Sequence, residues 1–278
     1  VVGLEKSTGF KITVPMIMNL LRAIFYGDIL QKLLLKNRAY EVNKGETEAL
    51  FNKWLEKCKV LSATATPAKF KKSIKEIIAD FEKIELDTSI EKPKVGIVGE
   101  VLIKYHPFGN NEVIKILEQE GAEVISPDFM GFIKFVATQK ITNNKLLRTD
   151  KSKARIFKIV IDFIELIEKD LAAELAKSKK NYLPPANIFE LEDKVKNILS
   201  IGNQTGEGWF LTAEMIEYIE NGIPNIICVQ PFACLPNHVV GKGMIKKIRS
   251  KYPDANIIAV DYDPGASEAN QTNRLKLM

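Results

Sequence analysis

Three cysteines and two histidines among 278 residues make this chain poor in the side chains that most often carry chemistry. So few cysteines cannot form the disulfide framework of a secreted domain, which favours a reducing, cytoplasmic setting and leaves any thiol a chemical or merely steric role. No long apolar run is present. Residues 14–35 form the most apolar stretch, and Asn19, Arg22, Asp28, Gln31 and Lys32 interrupt it. A membrane span wants about 20 mostly apolar residues, so none is expected. The chain opens on Val1 without a charged segment leading into an apolar one, so no secretory signal is expected and the sequence reads as a piece of a larger protein. Internal repeats and low-complexity tracts are also missing. The net charge of +5, from 40 basic and 35 acidic residues, is spread along the chain. Lys69, Lys71, Lys72 and Lys75 fall on one predicted solvated helix without interleaved aromatics, which argues against a nucleic-acid surface.

What is present is an alternation of helical and strand patterns. Residues 1–90 read as almost wholly helical, with helices at about 15–36, 46–58 and 67–83, and Pro15 and Pro67 suit first-turn positions. The first helix is apolar on more than one face, as expected of a helix that packs on further partners, here parts upstream of this chain. At 94–99 the run Lys-Val-Gly-Ile-Val-Gly reads as a buried parallel strand, followed by a helix at about 111–120, Gly121 as its C-terminal cap, and a strand at 122–126. A short apolar helix is expected at 128–138. Over 151–177, Ile156, Val160, Phe163, Ile167, Leu171 and Leu175 recur at spacings of three and four, the signature of an amphipathic helix. After a helix at about 188–199, the last third alternates loop, helix, strand, loop, helix (about 237–250), strand, loop, helix. The fold class expected is α/β: a parallel Rossmann-like sheet with helices on both faces over 91–278, carrying a helical insertion at about 128–200 and preceded by a mainly helical segment over 1–90.

In such a sheet the loops after the strands gather at one edge, and the unusual residues lie in those loops. Both histidines, His106 and His238, fall there, in the loops 99–109 and 230–238. The Gly-rich run 202–208 contains Gly206, Glu207 and Gly208 and leads toward a helix for which Thr212 is the expected N-cap, with Glu214 in its first turn. Its backbone N–H groups are candidates to hold an anion. The run lacks the Gly-Lys-Ser/Thr of a P-loop, so nucleotide hydrolysis is not expected here. Cys234, between Pro231 and Pro236 and just before a helix, is the best candidate metal ligand. Cys228, inside an apolar strand, and Cys58, at a helix end, read as small buried hydrophobes. Asp261 and Asp263 read either as metal or acid–base groups or as turn formers before a helix capped by Ser267, the second being favoured. Glu207, His238 and His106 are the candidate catalytic residues, and Cys234, Gly206 and Gly208 the candidate cofactor-binding ones.

Three ungapped runs carry a family resemblance: Thr205-Gly-Glu-Gly-Trp-Phe-Leu-Thr-Ala-Glu-Met215, Gln230-Pro-Phe-Ala-Cys-Leu-Pro-Asn-His-Val-Val-Gly-Lys-Gly-Met244 and Asp261-Tyr-Asp-Pro-Gly-Ala-Ser267. They resemble the closing section of acyl-CoA dehydratase activase-related proteins of the 2-hydroxyglutaryl-CoA dehydratase group. Val95 to Glu100, with Asn110-Asn111 after it, and Val1 to Lys6 are similar to the same family. The resemblance implies a large parent that joins activase-type ATPase modules to an iron–sulfur module. There a [4Fe–4S] cluster is held by cysteines with one position open, and ATP drives low-potential electron transfer toward an acyl-CoA or another acceptor. By position, Cys234 matches a cluster ligand. The family more often has glycine where Ala233 stands, and its other ligands would lie outside this chain, so the isolated chain is expected to be free of cluster. Two other readings compete: a non-catalytic interaction module, and a binding domain for a CoA thioester or another anionic metabolite, using the 202–208 loop and Lys242.

Overall fold

The structure, a computed structural model, describes residues 11–263, 265 and 267–278. The Val1 to Lys6 run of the resemblance therefore lies outside the described residues, as do Pro264 and Ala266.

Helices α1 (Val14–Tyr40), α2 (Glu46–Thr64) and α3 (Pro67–Glu82) open the fold. Thr13 and Thr66 cap α1 and α3 through their side-chain oxygens, and Pro15 and Pro67 sit in the first turns as predicted. Then come β1 (Lys94–Gly99), α4 (Val101–Tyr105), α5 (Val113–Gln119), β2 (Glu123–Ile125), α6 (Phe129–Leu147), α7 (Lys151–Leu175) and α8 (Ile188–Val195). The last third is α9 (Gly208–Glu220), β3 (Asn225–Pro231), α10 (Leu235–Val240), a 3-10 turn (Lys242–Met244), α11 (Ile245–Lys251), β4 (Asn256–Tyr262) and α12 (Glu268–Lys276). The four strands form one parallel sheet in the order β2-β1-β3-β4.

The sheet is buried on both faces because its apolar residues alternate between two cores. Ile97, Ile227, Val229 and Val260 pack with Val113, Leu117 and Leu275 of α5 and α12. Val98, Ile226, Cys228, Ile257 and Ala259 point the other way, onto α8, α9 and α11. The α/β Rossmann-like class with a helical segment ahead of it is thus what the chain adopts. A third core joins α1–α3 to the insertion, with Phe25, Leu33 and Phe70 packed among Met130, Ile164 and Leu171. The buried face of the helical segment is therefore covered by this chain's own α6 and α7. Polar links reinforce that junction. Lys36 Nζ lies 2.9 Å from Glu123 of β2, and Asp28 accepts the Phe129 and Met130 N–H groups at the start of α6 at 2.8 and 2.9 Å.

Several local expectations are corrected. The apolar helix expected at 128–138 continues to Leu147. The helix expected at about 188–199 ends at Val195, and the one expected at about 111–120 starts only at Val113, because Asn111 and Glu112 both take positive φ. The helix expected at about 237–250 is two, α10 and α11, interrupted at Gly241. Thr212 is no N-cap: α9 starts at Gly208, and Thr212, fully buried in mid-helix, donates its hydroxyl to the Val240 carbonyl at 2.5 Å. Gly121 does end α5 in the left-handed region, with φ +91°. No helix among the described residues is long and apolar enough to cross a membrane.

Candidate functional site

β1 has β2 on one side and β3 on the other, so the chain reverses its direction of travel across the sheet between β1 and β3. At such a switch point the loops after the two strands part and leave a crevice, where ligands of open α/β sheets bind. The loops that follow β1 and β3 here are those of Glu100 and Cys234.

Glu207 ties this edge together. It is buried at the start of α9, where its Oε1 accepts the Val101 N–H at 3.1 Å and its Oε2 accepts Asn237 Nδ2 at 2.8 Å. The same Asn237 Nδ2 also donates to Cys234 Sγ at 3.2 Å. One carboxylate thus braces the β1 loop and the Cys234 loop against the Gly-rich loop. The Gly-rich and Cys234 loops are in direct contact: a Cβ on Gly206, at φ +62°, would stand 2.8 Å from Pro236 Cβ. A Cβ on Gly208, at φ +50°, would stand 2.4 Å from the Asn203 carbonyl oxygen. Both glycines are needed for close approach of chain to chain.

At the end of the run 202–208, and just beyond it, the chain itself takes up the backbone N–H groups. The N–H of Gly208 donates to Thr205 O at 3.1 Å, that of Trp209 to Asn203 O at 2.7 Å, and that of Phe210 to Glu207 O at 3.2 Å. The negative charge at this helix start is the protein's own Glu207. Glu214, expected in a first turn, is instead buried mid-helix, where its carboxylate takes Lys104 Nζ at 3.2 and 3.3 Å. Burial is the largest influence on Glu214 and raises its pKa, with Lys104 opposing.

Cys234 is half-buried in a tight turn, its N–H donating to Pro231 O at 3.2 Å. Its neighbours Phe232 and Leu235 are 68% and 73% exposed. A partly open thiol in an apolar collar is the result. Beside it, Gln230 Nε2 donates to Asp261 Oδ1 at 2.5 Å and lies 3.4 Å from His238 Nε2. Lys242 Nζ stands 3.7 Å from Asp261 Oδ2. His238 Nε2 is 3.9 Å from Asp261 Oδ1, a looser approach. The amide oxygens Gln230 Oε1 and Asn237 Oδ1 are buried without a hydrogen-bond partner among the described residues. Asp263 makes the expected turn, its Oδ1 accepting the Gly265 N–H at 3.1 Å, while the Ser267 side chain makes no cap bond.

Of the residues singled out from the sequence, Cys234, Gly206, Glu207, Gly208 and His238 gather on this edge. His106 stands apart. It is exposed, its Nδ1 accepts the Gly109 N–H at 3.1 Å, and among the described residues no hydrogen bond joins it to Glu207, His238 or Cys234. Cys58 and Cys228 are buried, and desolvation pushes their thiols up to about 11 and about 12, which makes them inert. Sequence reasoning missed Asn237, Gln230 and the Lys104–Glu214 pair. The amides sat inside a motif read only for its cysteine and histidine, and the ion pair spans 110 positions with no spacing signal.

A [4Fe–4S] cluster needs three or four thiolates. This edge offers one, because the Cys228 side chain is sealed in the core beneath α9 and α10 and Cys58 lies on α2. No three His, Cys, Asp or Glu side chains among the described residues converge to hold a metal ion. The chain's own residues therefore do not fit a complete cluster, and at most one ligand can come from here. No protein-family model matches the chain, and neither a curated protein nor a solved structure does.

Proposed function

We propose that this chain supplies one ligating thiolate, Cys234, and the face around it to a redox centre completed by another part of a larger, cytoplasmic protein. The parent would be of the kind that acyl-CoA dehydratase activase-related chains build, with activase-type ATPase modules upstream and an acyl-CoA or another acceptor downstream. The observation that supports this most is the setting of Cys234. It is a partly open thiol at the switch point of the sheet, held by Asn237 and Glu207, inside a collar of exposed Phe232 and Leu235. Apolar side chains left open around a ligand are what a second protein surface covers. In this reading Glu207 positions the loops, and Asp261, Gln230, His238 and Lys242 form the polar flank of the centre. Low-potential electron transfer belongs to the assembled parent, and the isolated chain binds no cluster.

The test is anaerobic iron–sulfide reconstitution of the full-length protein that carries this chain, wild type beside Cys234→Ser, read by charge-transfer absorbance and iron content. Loss of cluster in the variant is the expected result. An unchanged cluster removes Cys234 from that role and favours the second reading, a non-catalytic interaction module, which the exposed apolar face of α7 supports. The third reading, an anionic-metabolite domain using the 202–208 loop, competes with Glu207, whose carboxylate already sits at that loop.

A further inference from the structure

α7 carries two apolar stripes. One, with Ile161, Ile164, Leu171 and Leu175, is buried. The other runs along solvent at spacings of three and four: Ile156, Ile159, Val160, Phe163 and Leu166, each at least 40% exposed and Ile159 at 68%. The expected single face mixed the two. Phe163 and Leu166 also wall an apolar groove of about 660 Å³, whose other sides are Met18 and Leu21 of α1 and Phe70 and Ile74 of α3. An apolar surface of this extent marks an interaction site.

The charges of α7 indicate what covers it. Up to Lys158 the helix carries Lys151, Lys153 and Arg155 besides, and no acid; beyond it come Asp162, Glu165, Glu168, Asp170 and Glu174 against a single Lys169. Glu165 and Glu168 turn inward to Lys134 and Glu174 is held by Lys75 and Lys177, which leaves Asp162 and Asp170 on the outer side. A helix N-terminus favours acidic side chains and a C-terminus basic ones. Asp150 caps α7 and Lys177 follows its end, but within the helix no acid stands in the first turn and no base in the last, so the charges along its length run against its own dipole. They suit a second helix laid alongside in the opposite direction, with the same polarity.

We infer that α7 pairs antiparallel with α7 of a second copy of this chain about a two-fold axis. The exposed stripe meets itself, and each basic end faces an acidic one, the self-complementary contact that two-fold symmetry requires. The intrachain pairs Lys158–Asp162 and Lys71–Asp170 do not prevent this. Exposed pairs of that kind are worth under about 1 kcal/mol and exchange partners readily. The inference does not depend on the role of Cys234.

Sedimentation equilibrium of the chain tests it. A mass twice the 31.3 kDa of one chain is expected. Phe163→Glu and Ile159→Glu, each with helicity checked by circular dichroism, should weaken association by about 30-fold or more, as loss of a buried interface anchor does. Orientation is read by cross-linking in a Cys234→Ser background. The stripe is centred near residue 161, so Val160→Cys meets its own copy and oxidises to a disulfide. Ser152→Cys lies about 27 Å from its copy, at 1.5 Å per residue, and does not. A wild-type monomer at all concentrations overturns the inference and leaves the stripe to a different partner. So does a dimer that survives both glutamate variants, or equal cross-linking at 152 and 160.

Discussion

The chain buries a lysine–glutamate pair in each half of the fold, and the two differ in how completely the ammonium is satisfied. Lys134, on α6, has an acceptor for each of its three protons: Glu165 Oε1 at 2.9 Å, Glu168, and the Ala186 carbonyl at 2.8 Å. Lys104, on α4 beneath the switch point, is met among the described residues only by the two oxygens of Glu214, with the Tyr105 ring 5.1 Å away. The helical half therefore holds its buried charge in a redundant network. The site edge depends on single polar links, Lys104–Glu214 and Glu207–Asn237, to set its loops. Redundancy suits a scaffold, whereas single links place side chains at the edge where the sheet opens.

The sharpest way to break this comparison is to remove one acid from each half. Glu214→Ala leaves Lys104 buried without a carboxylate and should cost about 3–5 kcal/mol in urea unfolding. Replacing both partners, Lys104→Met with Glu214→Leu, should recover most of that loss, because no unpaired charge remains. Glu168→Ala should cost clearly less, since Lys134 keeps Glu165 and the Ala186 carbonyl. Equal costs for the two single variants would show that the number of acceptors does not govern either site.

pH sharpens the same contrast. Desolvation raises the Glu168 carboxyl from its ordinary 4.5 to about 7, against the opposing pull of Lys134. Between those values the folded protein keeps a proton that the unfolded chain has lost. The contribution of Glu168 to stability is therefore complete below pH 4.5 and disappears as pH rises through about 7. Unfolding free energy should fall by about 2–3 kcal/mol from this group between pH 5 and pH 8. Glu168→Gln should flatten the slope. Part of what remains belongs to Asp28, which desolvation and the neighbouring Asp128 raise to about 8, and part to Glu214 and Glu118, whose carboxyls burial also raises. A slope unchanged in Glu168→Gln would take Glu168 out of the titration.

The halves also differ in how they can be read from sequence. In the helical half the apolar period locates each helix. It misassigns faces where two stripes share one helix, as on α7, because spacing alone does not say which stripe meets the core. It also stops α6 too early, since the period weakens once Thr142, Asn143 and Asn144 enter, although tertiary packing carries the helix on to Leu147. At the edge, glycine and proline punctuation locates the loops, and Gly206, Gly208 and Cys234 are legible as a group. Helix starts there are not: Thr212 has the composition of an N-cap, but its hydroxyl is used inside the core by Val240 O. Nor are Asn237 and the Lys104–Glu214 pair, whose partners are chosen by the folded chain rather than by any local pattern.

The smallest expected effect lies at Ala233. The turn closed by Cys234 N–H and Pro231 O puts Ala233 at its third position with φ +58°. A type II turn gives that position to glycine, because a Cβ in the left-handed region crowds the backbone. Ala233→Gly should relieve about 1–2 kcal/mol of local strain. It also adds freedom to the unfolded chain, worth about 0.4–1 kcal/mol. The net gain is therefore between about 0 and about 1.6 kcal/mol, visible as a small rise in urea midpoint with unchanged slope. A loss of stability would mean that the turn accommodates its Cβ without strain, and the edge would then owe its geometry to the Glu207–Asn237 link rather than to the turn. Because the turn also sets where Cys234 sits, reactivity of that thiol toward a small alkylating reagent should be measured on the same variant. A faster reaction with a stability gain would show that alanine restrains the thiol at a cost in local strain.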